Sequence, residues 1–380
     1  MKNLMLNSIK KFSVAFVTIL ILNVPVFANE SNWQPEIRLG ILSGVNQVNL
    51  QISNPCVMLD SVTRKIIKNI PANKEFVIKS GEIKTEAVEI RAENLPLQKL
   101  TVTINGKKYF GSVRLLKRNN SLTVINLAPV EEYLRGVVPE EMSPSYHAEA
   151  LKAQAVAARS FTLKNRSRHE SEGYDLCTTN HCQFFGGIDS VNHITDKIIY
   201  ETRGEVLLSN GQIADTNFHT DSGGMTESVT EVWGGYASHL QAVEELEKHT
   251  QHWTKEFSVA DFLSKFGGSF GNLKEIKLSP LKVGKSAADR STSGRVKSVQ
   301  IIGSKKTLQL TGNELRSKFS LPSTLFDMKI SGGKVIFEGY GFGHGVGMSQ
   351  NGANAYAKHG WDYKKILLHY YRGTKLKKLY

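Results

Sequence analysis

Two adjacent carboxylates, Glu140 and Glu141, lie in the string Pro139-Glu140-Glu141-Met142, just before an alanine-rich run. Cleaving a glycosidic bond requires a proton on the leaving oxygen. A carboxylic acid whose pKa has been raised by burial usually delivers it. Glu141, beside Met142, has surroundings able to desolvate it, and the Glu140 charge would push its pKa the same way. The same pair also suits a solvated turn, or a helix start where carboxylates meet the positive end of the helix dipole.

A second cluster comprises Cys177, His181 and Cys182, with His169 upstream. Thiolates and imidazoles are the ligands zinc prefers, although this spacing is not that of a standard finger. A Cys177–Cys182 disulfide, natural in an exported chain, and free thiols are the alternatives. Four protein ligands would close the metal site and leave no water position, so a bound zinc would be structural. Cys56 reads as a buried thiol.

In Thr216–Gly224, period-two alternation would send His219 and Asp221 to one face and Ser222 to the other. Gly223 and Gly224 would let a ligand approach the backbone closely. Neighbours this close on one strand cannot form a Ser/His/Asp triad, which leaves hydrogen bonding to sugar hydroxyls or a structural turn. The last candidate is the glycine-rich segment Gly341–Gln350, with His344 at its centre. It resembles a phosphate-cradling loop, but the lysine and the preceding βαβ unit of a nucleotide site are missing.

The elements that must hold these residues follow from pattern. A helix is expected from Ser143-Pro144 to about Asn165, buried because its alanines allow close packing. Shorter helices are expected over Gly352–Lys358 and after Asp362, the latter with Tyr363, Ile366, Leu367 and Tyr370 on one face. Residues 36 to about 128 are strand-rich, with Val48, Leu50 and Ile52 alternating with polar residues. Asn105-Gly106, Asn210-Gly211 and Gly332-Gly333 mark hairpins. These readings imply an α+β fold of mostly antiparallel sheets with a central Ala-rich helix and two lobes around a cleft. The expected divisions are a β-rich N-terminal region over 29–115 and a catalytic domain over 116–380, with 258–325 as an insert or second lobe.

Lys2, Lys10 and Lys11 precede an apolar run from Phe12 to Phe27 that is interrupted by Asn23 and Pro25. This pattern predicts a secretory signal over residues 1–28; an uncleaved anchor is the alternative, but it needs roughly 20 apolar residues. Removing those three lysines takes the formal charge from +13 to +10. For an exported chain this basic balance suits an anionic wall or membrane surface rather than nucleic acid.

The Glu141-Met142 turn with its Leu-Lys-Ala-Gln-Ala-Val-Ala-Ala-Arg helix, the Thr216–Trp233 block and the Gly-His-Gly-Val-Gly-Met-Ser-Gln loop together resemble the SpoIID/LytB family of sporulation-type lytic transglycosylases and amidase enhancers. The resemblance runs from about Leu122 to Leu379. It implies that Glu141 is the catalytic acid and that Arg159 lies near the cleft. It further implies that Gln183, His219, Ser222, Gly223, Gly224, His344, Gly345, Met348, Ser349 and Gln350 contact substrate. His169, Cys177, His181 and Cys182 would hold a structural zinc at the edge of the active site. The implied substrate is peptidoglycan glycan strands, stripped of stem peptides, cleaved to 1,6-anhydro ends. The alternative is a non-catalytic wall-binding enhancer of a partner N-acetylmuramoyl-L-alanine amidase. The implied location is the cell wall, periplasm or outer face of the cytoplasmic membrane.

Overall fold

Three of the turns read from sequence carry positive φ at both central positions: Asn105 (46°) and Gly106 (86°), Asn210 (50°) and Gly211 (79°), and Gly332 (56°) and Gly333 (73°). That backbone matches the right-handed twist of the strands it joins, which is why Asn-Gly and Gly-Gly specify tight hairpins. The strands they connect are Thr101–Ile104 with Lys107–Phe110, Glu205–Ser209 with Gln212–Ile213, and Phe326–Ser331 with Lys334–Gly339. The strand that follows Asn210-Gly211 stops at Ile213. Beyond it the chain bonds to other partners, with Thr216 Oγ1 donating to the Ala157 carbonyl at 2.8 Å.

The computed structural model describes residues 33–92, 95–248, 250–267 and 270–380. The expected signal segment, 1–28, lies outside them. Among the described residues no helix is long and apolar enough to cross a membrane. Gln34–Tyr380 forms one compact unit.

The fold is α+β with mostly antiparallel sheets. A seven-stranded sheet runs in the order Leu176–Cys177, Glu36–Val45, Ser121–Pro129, Ser112–Arg118, Ala87–Arg91, Cys56–Asp60, Ile66–Ile70. Its one parallel pairing sets Leu39 against Leu176, at the entrance to the Cys/His segment. A four-stranded sheet orders Glu75–Lys79, Gln47–Ile52, Thr101–Ile104 and Lys107–Phe110. Val48, Leu50 and Ile52 are buried as their alternation requires. The strand Ser112–Arg118 runs across residues 115–116, and one apolar cluster joins Ile37, Leu39 and Leu115 to Leu151 and Val156 of the central helix.

That helix spans Ala148–Lys164 and is buried on every side. It packs against the helices His193–Glu201, Gln350–Lys358 and Tyr363–Tyr370 and the strand Glu205–Ser209, which its small side chains permit. It starts later than expected. Ser143 and Pro144 sit in a turn where the Ser145 N–H donates to Ser143 Oγ at 3.3 Å, a local bond that competes with helix formation. His147 caps the helix instead, its Nδ1 accepting from Glu149 N at 3.3 Å.

A separate core of Phe262, Phe319, Phe326, Phe337 and their neighbours forms the second lobe. It takes in the paired strands Trp253–Ser258 and Lys334–Gly339 and so extends past the expected 258–325 on both sides. The helix Gly312–Phe319, started by a Thr311/Glu314 capping box, carries Arg316 from this lobe to the pocket described next.

Candidate active site

Glu141 ends the short helix Val138–Glu141, anchored by buried Val138 and Met142. Its Oε1 accepts the Phe184 amide at 2.9 Å, and the Gln350 side chain hydrogen-bonds to the same carboxyl. Burial raises its pKa against those two hydrogen bonds, and the Glu140 charge adds to the rise. Glu140 is exposed and accepts from the Ser190 hydroxyl. Of the two adjacent carboxylates, Glu141 is the one turned into the protein, with its pKa raised by burial.

Glu141 borders a pocket of about 480 Å³ whose opposite wall is the glycine-rich loop. Two short parallel pairings fix that loop, Phe218 with Met348 and His219 with Ser349. Asp221 and Phe342 exchange backbone hydrogen bonds at 3.0 and 2.9 Å. Ser349 Oγ then accepts from Gly352 N at 3.1 Å and starts the helix whose first residue is Gln350. In this way the loop delivers both His344 and Gln350 to the Glu141 side. His344 Nδ1 accepts from Val346 N at 3.0 Å, and His219 Nδ1 lies 3.1 Å from the Val346 carbonyl. Burial, with Arg295 and Arg316 nearby, pushes the His344 pKa down to about 3. Burial, then His344 and Arg295, drives His219 well below its usual value. Both rings are neutral, so the proton on His219 Nδ1 leaves its Nε2, which has no partner among the described residues, as an acceptor.

The Cys/His segment forms the adjoining edge. One ligand atom from each of His169, Cys177, His181 and Cys182 lies within 4.8 Å of the others, and both cysteines are free thiols. Cys182 Sγ is 3.4 Å from His169 Nε2 and 3.7 Å from His181 Nδ1, which is also 3.7 Å from Cys177 Sγ. Sulfur and nitrogen corners of a zinc tetrahedron stand about 3.5 Å apart, so the donor set fits zinc in type and in spacing. His169 Nδ1 lies 2.5 Å from Glu172 Oε1, the carboxylate partner that fixes a metal-binding imidazole.

Several expected substrate contacts are not in the pocket. Arg159 is fully buried, paired through Nε and Nη2 with both Glu131 oxygens at 2.8 Å. Gln183 is buried and donates to Thr162 Oγ1 at 2.8 Å. Ser222 donates to Glu245, itself inside the core. Gly223 and Gly224 pack against Leu325 and Lys248. A Cβ on Gly345 would stand 2.6 Å from Arg295 Cζ, so this glycine makes room for a buried guanidinium rather than for a ligand. Met348 and Ser349 are buried supports of the loop. Asp221, expected on the His219 face, instead accepts from Gly223 N, Thr250 and Asn351.

The pocket also contains residues that sequence reasoning passed over: Phe184, Trp233 and Phe342, each about half exposed, and Arg168 and Arg316. Phe184 directly follows the Cys-Gln pair, and Trp233 closes the Thr216–Trp233 block, so proximity to recognised motifs was the available signal. Arg316 belongs to a Leu315-Arg316 pair that also resembles the family, but nothing in its spacing gave it a role in the pocket.

The stage II sporulation protein family SpoIID matches residues 118–208, which hold Glu141 and the Cys/His cluster. A domain of unknown function, DUF8618, matches residues 236–347, overlapping the second lobe. Stage II sporulation protein D of Bacillus subtilis is 32% identical over 268 residues, 65% of this chain and 74% of that protein. An uncharacterised protein of Brachyspira hyodysenteriae is 31% identical over 278 residues, 72% of this chain and 73% of its own. The amidase enhancer of Bacillus subtilis is 28% identical over 352 residues, 79% of this chain but 49% of that protein's length. The chain therefore belongs to the stage II sporulation protein D family, SpoIID/LytB.

Proposed function

We propose that this protein is a lytic transglycosylase that cleaves the β-1,4 bond between N-acetylmuramic acid and N-acetylglucosamine in peptidoglycan glycan strands. A cell-wall function is supported by the family and by the similarity to the amidase enhancer. The observation that carries the finer reading is a single carboxylate, Glu141, among the described residues lining the pocket, with its pKa raised by burial.

One acid suffices if the nucleophile belongs to the substrate. Glu141 gives its proton to the glycosidic oxygen as the bond to the muramoyl C1 breaks, freeing a GlcNAc 4-hydroxyl. The muramoyl C6 hydroxyl then forms the C1–O6 bond and returns its proton to Glu141, so the acid is regenerated and no water is consumed. An ordinary glycosidase needs a second carboxylate at a set separation. The Phe184 amide and Gln350 orient the Glu141 carboxyl, and the His219 Nε2 lone pair is available to a sugar hydroxyl. Phe184, Trp233 and Phe342 offer apolar faces to pyranose rings.

Zinc fits His169, Cys177, His181 and Cys182, and with four protein ligands it would supply a structural cross-link. Cys182 lies two residues before Phe184, so zinc bound there would order the loop that holds the Phe184 amide on Glu141.

The test is to incubate purified protein with isolated glycan strands and detect 1,6-anhydro ends by mass spectrometry. Wild type should release them, and Glu141→Gln should release about 10²–10⁴-fold less. Equal release by the two proteins rejects the reading. No release by either, together with stimulation of an amidase by both, would favour the enhancer role that the amidase enhancer's similarity suggests.

A further inference from the structure

Apart from His181 and Cys182 of the Cys/His cluster, the ionisable groups lining the pocket do not balance. Glu141 is pushed toward its neutral form, and the His219 and His344 rings are held neutral. Against them stand two guanidinium groups, Arg168 from the end of the central-helix segment and Arg316 from the second lobe. No carboxylate among the described residues forms an ion pair with either. Arg316 makes one long contact, from Nε to the Leu321 carbonyl at 3.4 Å, and Arg168 rests over the Phe161 ring at 5.9 Å. Burial depresses the Arg316 pKa, with no acid acting against it. Behind the loop, Arg295 adds a further buried positive charge, its Nη2 donating to the Ser222 carbonyl at 2.9 Å.

Arg316 is half-buried and Arg168 exposed, and an arginine fork without an acid partner matches a planar carboxylate in geometry and charge. An uncharged sugar covering Arg316 would leave its fork without an acid partner. We propose that Arg316, assisted by Arg168, is a specificity-determining residue that binds a carboxylate carried by the substrate beside the bond addressed by Glu141. The assignment rests on the glycan-cleaving reading of the pocket. On a peptidoglycan strand the carboxylate has two sources: the lactyl group of muramic acid when no peptide is attached, or the acidic groups of a stem peptide. The two sources require opposite ligands.

The experiment uses the full chain carrying Glu141→Gln, so that binding is read without turnover, and calorimetry with three oligosaccharide probes. One is a GlcNAc–MurNAc tetrasaccharide with free lactyl carboxylates, the second its lactyl methylamide, and the third the same tetrasaccharide with stem peptides. The expected result is tightest binding of either the free acid or the peptide form, at least about tenfold over the methylamide. Arg316→Gln should remove that preference, and Arg316→Lys should restore part of it. Which acid is preferred names the source. Equal affinity for all three probes, or a preference that survives Arg316→Gln in a protein with an unchanged melting curve, overturns the proposal. Binding with the preference intact but no cleavage by wild type would instead remove the transglycosylase reading and leave the carboxylate subsite standing.

Discussion

The Phe184 amide lies 2.9 Å from Glu141 Oε1, and Phe184 is only two residues past the Cys182 thiol. Glu141 and the Cys/His cluster are thus parts of one construction: the segment that a metal would fix also holds the amide that meets the carboxyl.

Metal removal should therefore disturb Glu141 without touching it. The purified protein is expected to hold about one zinc per chain by elemental analysis. Chelation, or Cys182→Ser, should lower the melting temperature and speed hydrogen exchange at the Phe184 amide. A metal-free protein with a Cys177–Cys182 disulfide, read as a two-proton mass difference, would refute this.

Glu140 should tune the pH profile. The proposed reaction needs the acid form of Glu141 in the free protein, so kcat/KM should fall as pH rises through its raised pKa. Glu140→Gln removes the adjacent like charge, lowers that pKa and moves the basic limb to lower pH. Because Glu140 is exposed, the displacement should shrink at high salt. An unmoved limb at low salt would show that burial alone sets the pKa.

Glu141 should also cost stability. Its folded-state pKa lies above the unfolded one, so its contribution is fully present below about pH 4.3 and is lost as pH rises through the folded value. Glu141→Gln carries no such loss. The variant should melt close to wild type at acid pH and above it at pH 7. A variant that melts below wild type at pH 7 contradicts the assigned burial.

Arg159 tests whether a buried ion pair, rather than a cleft contact, explains its place. Both side chains are almost inaccessible, at 0% for Arg159 and 6% for Glu131. Arg159→Met should cost about 3–5 kcal/mol in denaturant unfolding, because it leaves the Glu131 carboxylate buried and unpaired. Arg159→Lys should not recover it, since an ammonium cannot form both bonds. If Arg159→Met keeps wild-type stability and loses only activity, the residue belongs to the cleft after all.

The sequence determined what local chemistry can determine. Two-residue turns need φ > 0, so Asn105-Gly106, Asn210-Gly211 and Gly332-Gly333 announced their hairpins. Six alanines in Ala148–Ala158 announced a helix buried all round. The residue types of the Cys/His segment were legible, as was Met142 beside Glu141 as a side chain able to desolvate it. Their meaning depended on distance in space. Whether two thiols and two imidazoles converge on a metal or form a disulfide depends on where the backbone carries them, and here it brings four ligand atoms within 4.8 Å. Arg159 looked like a cleft residue because a buried and a solvated arginine are the same letter. Its burial is set by Glu131, on another element and 28 residues away. Arg316 lies in a Leu315-Arg316 pair that resembles the family, but the pair does not show its role, for the converse reason: it enters the pocket from a second lobe with its own core, and only tertiary packing places a guanidinium there with no carboxylate among the described residues to meet it.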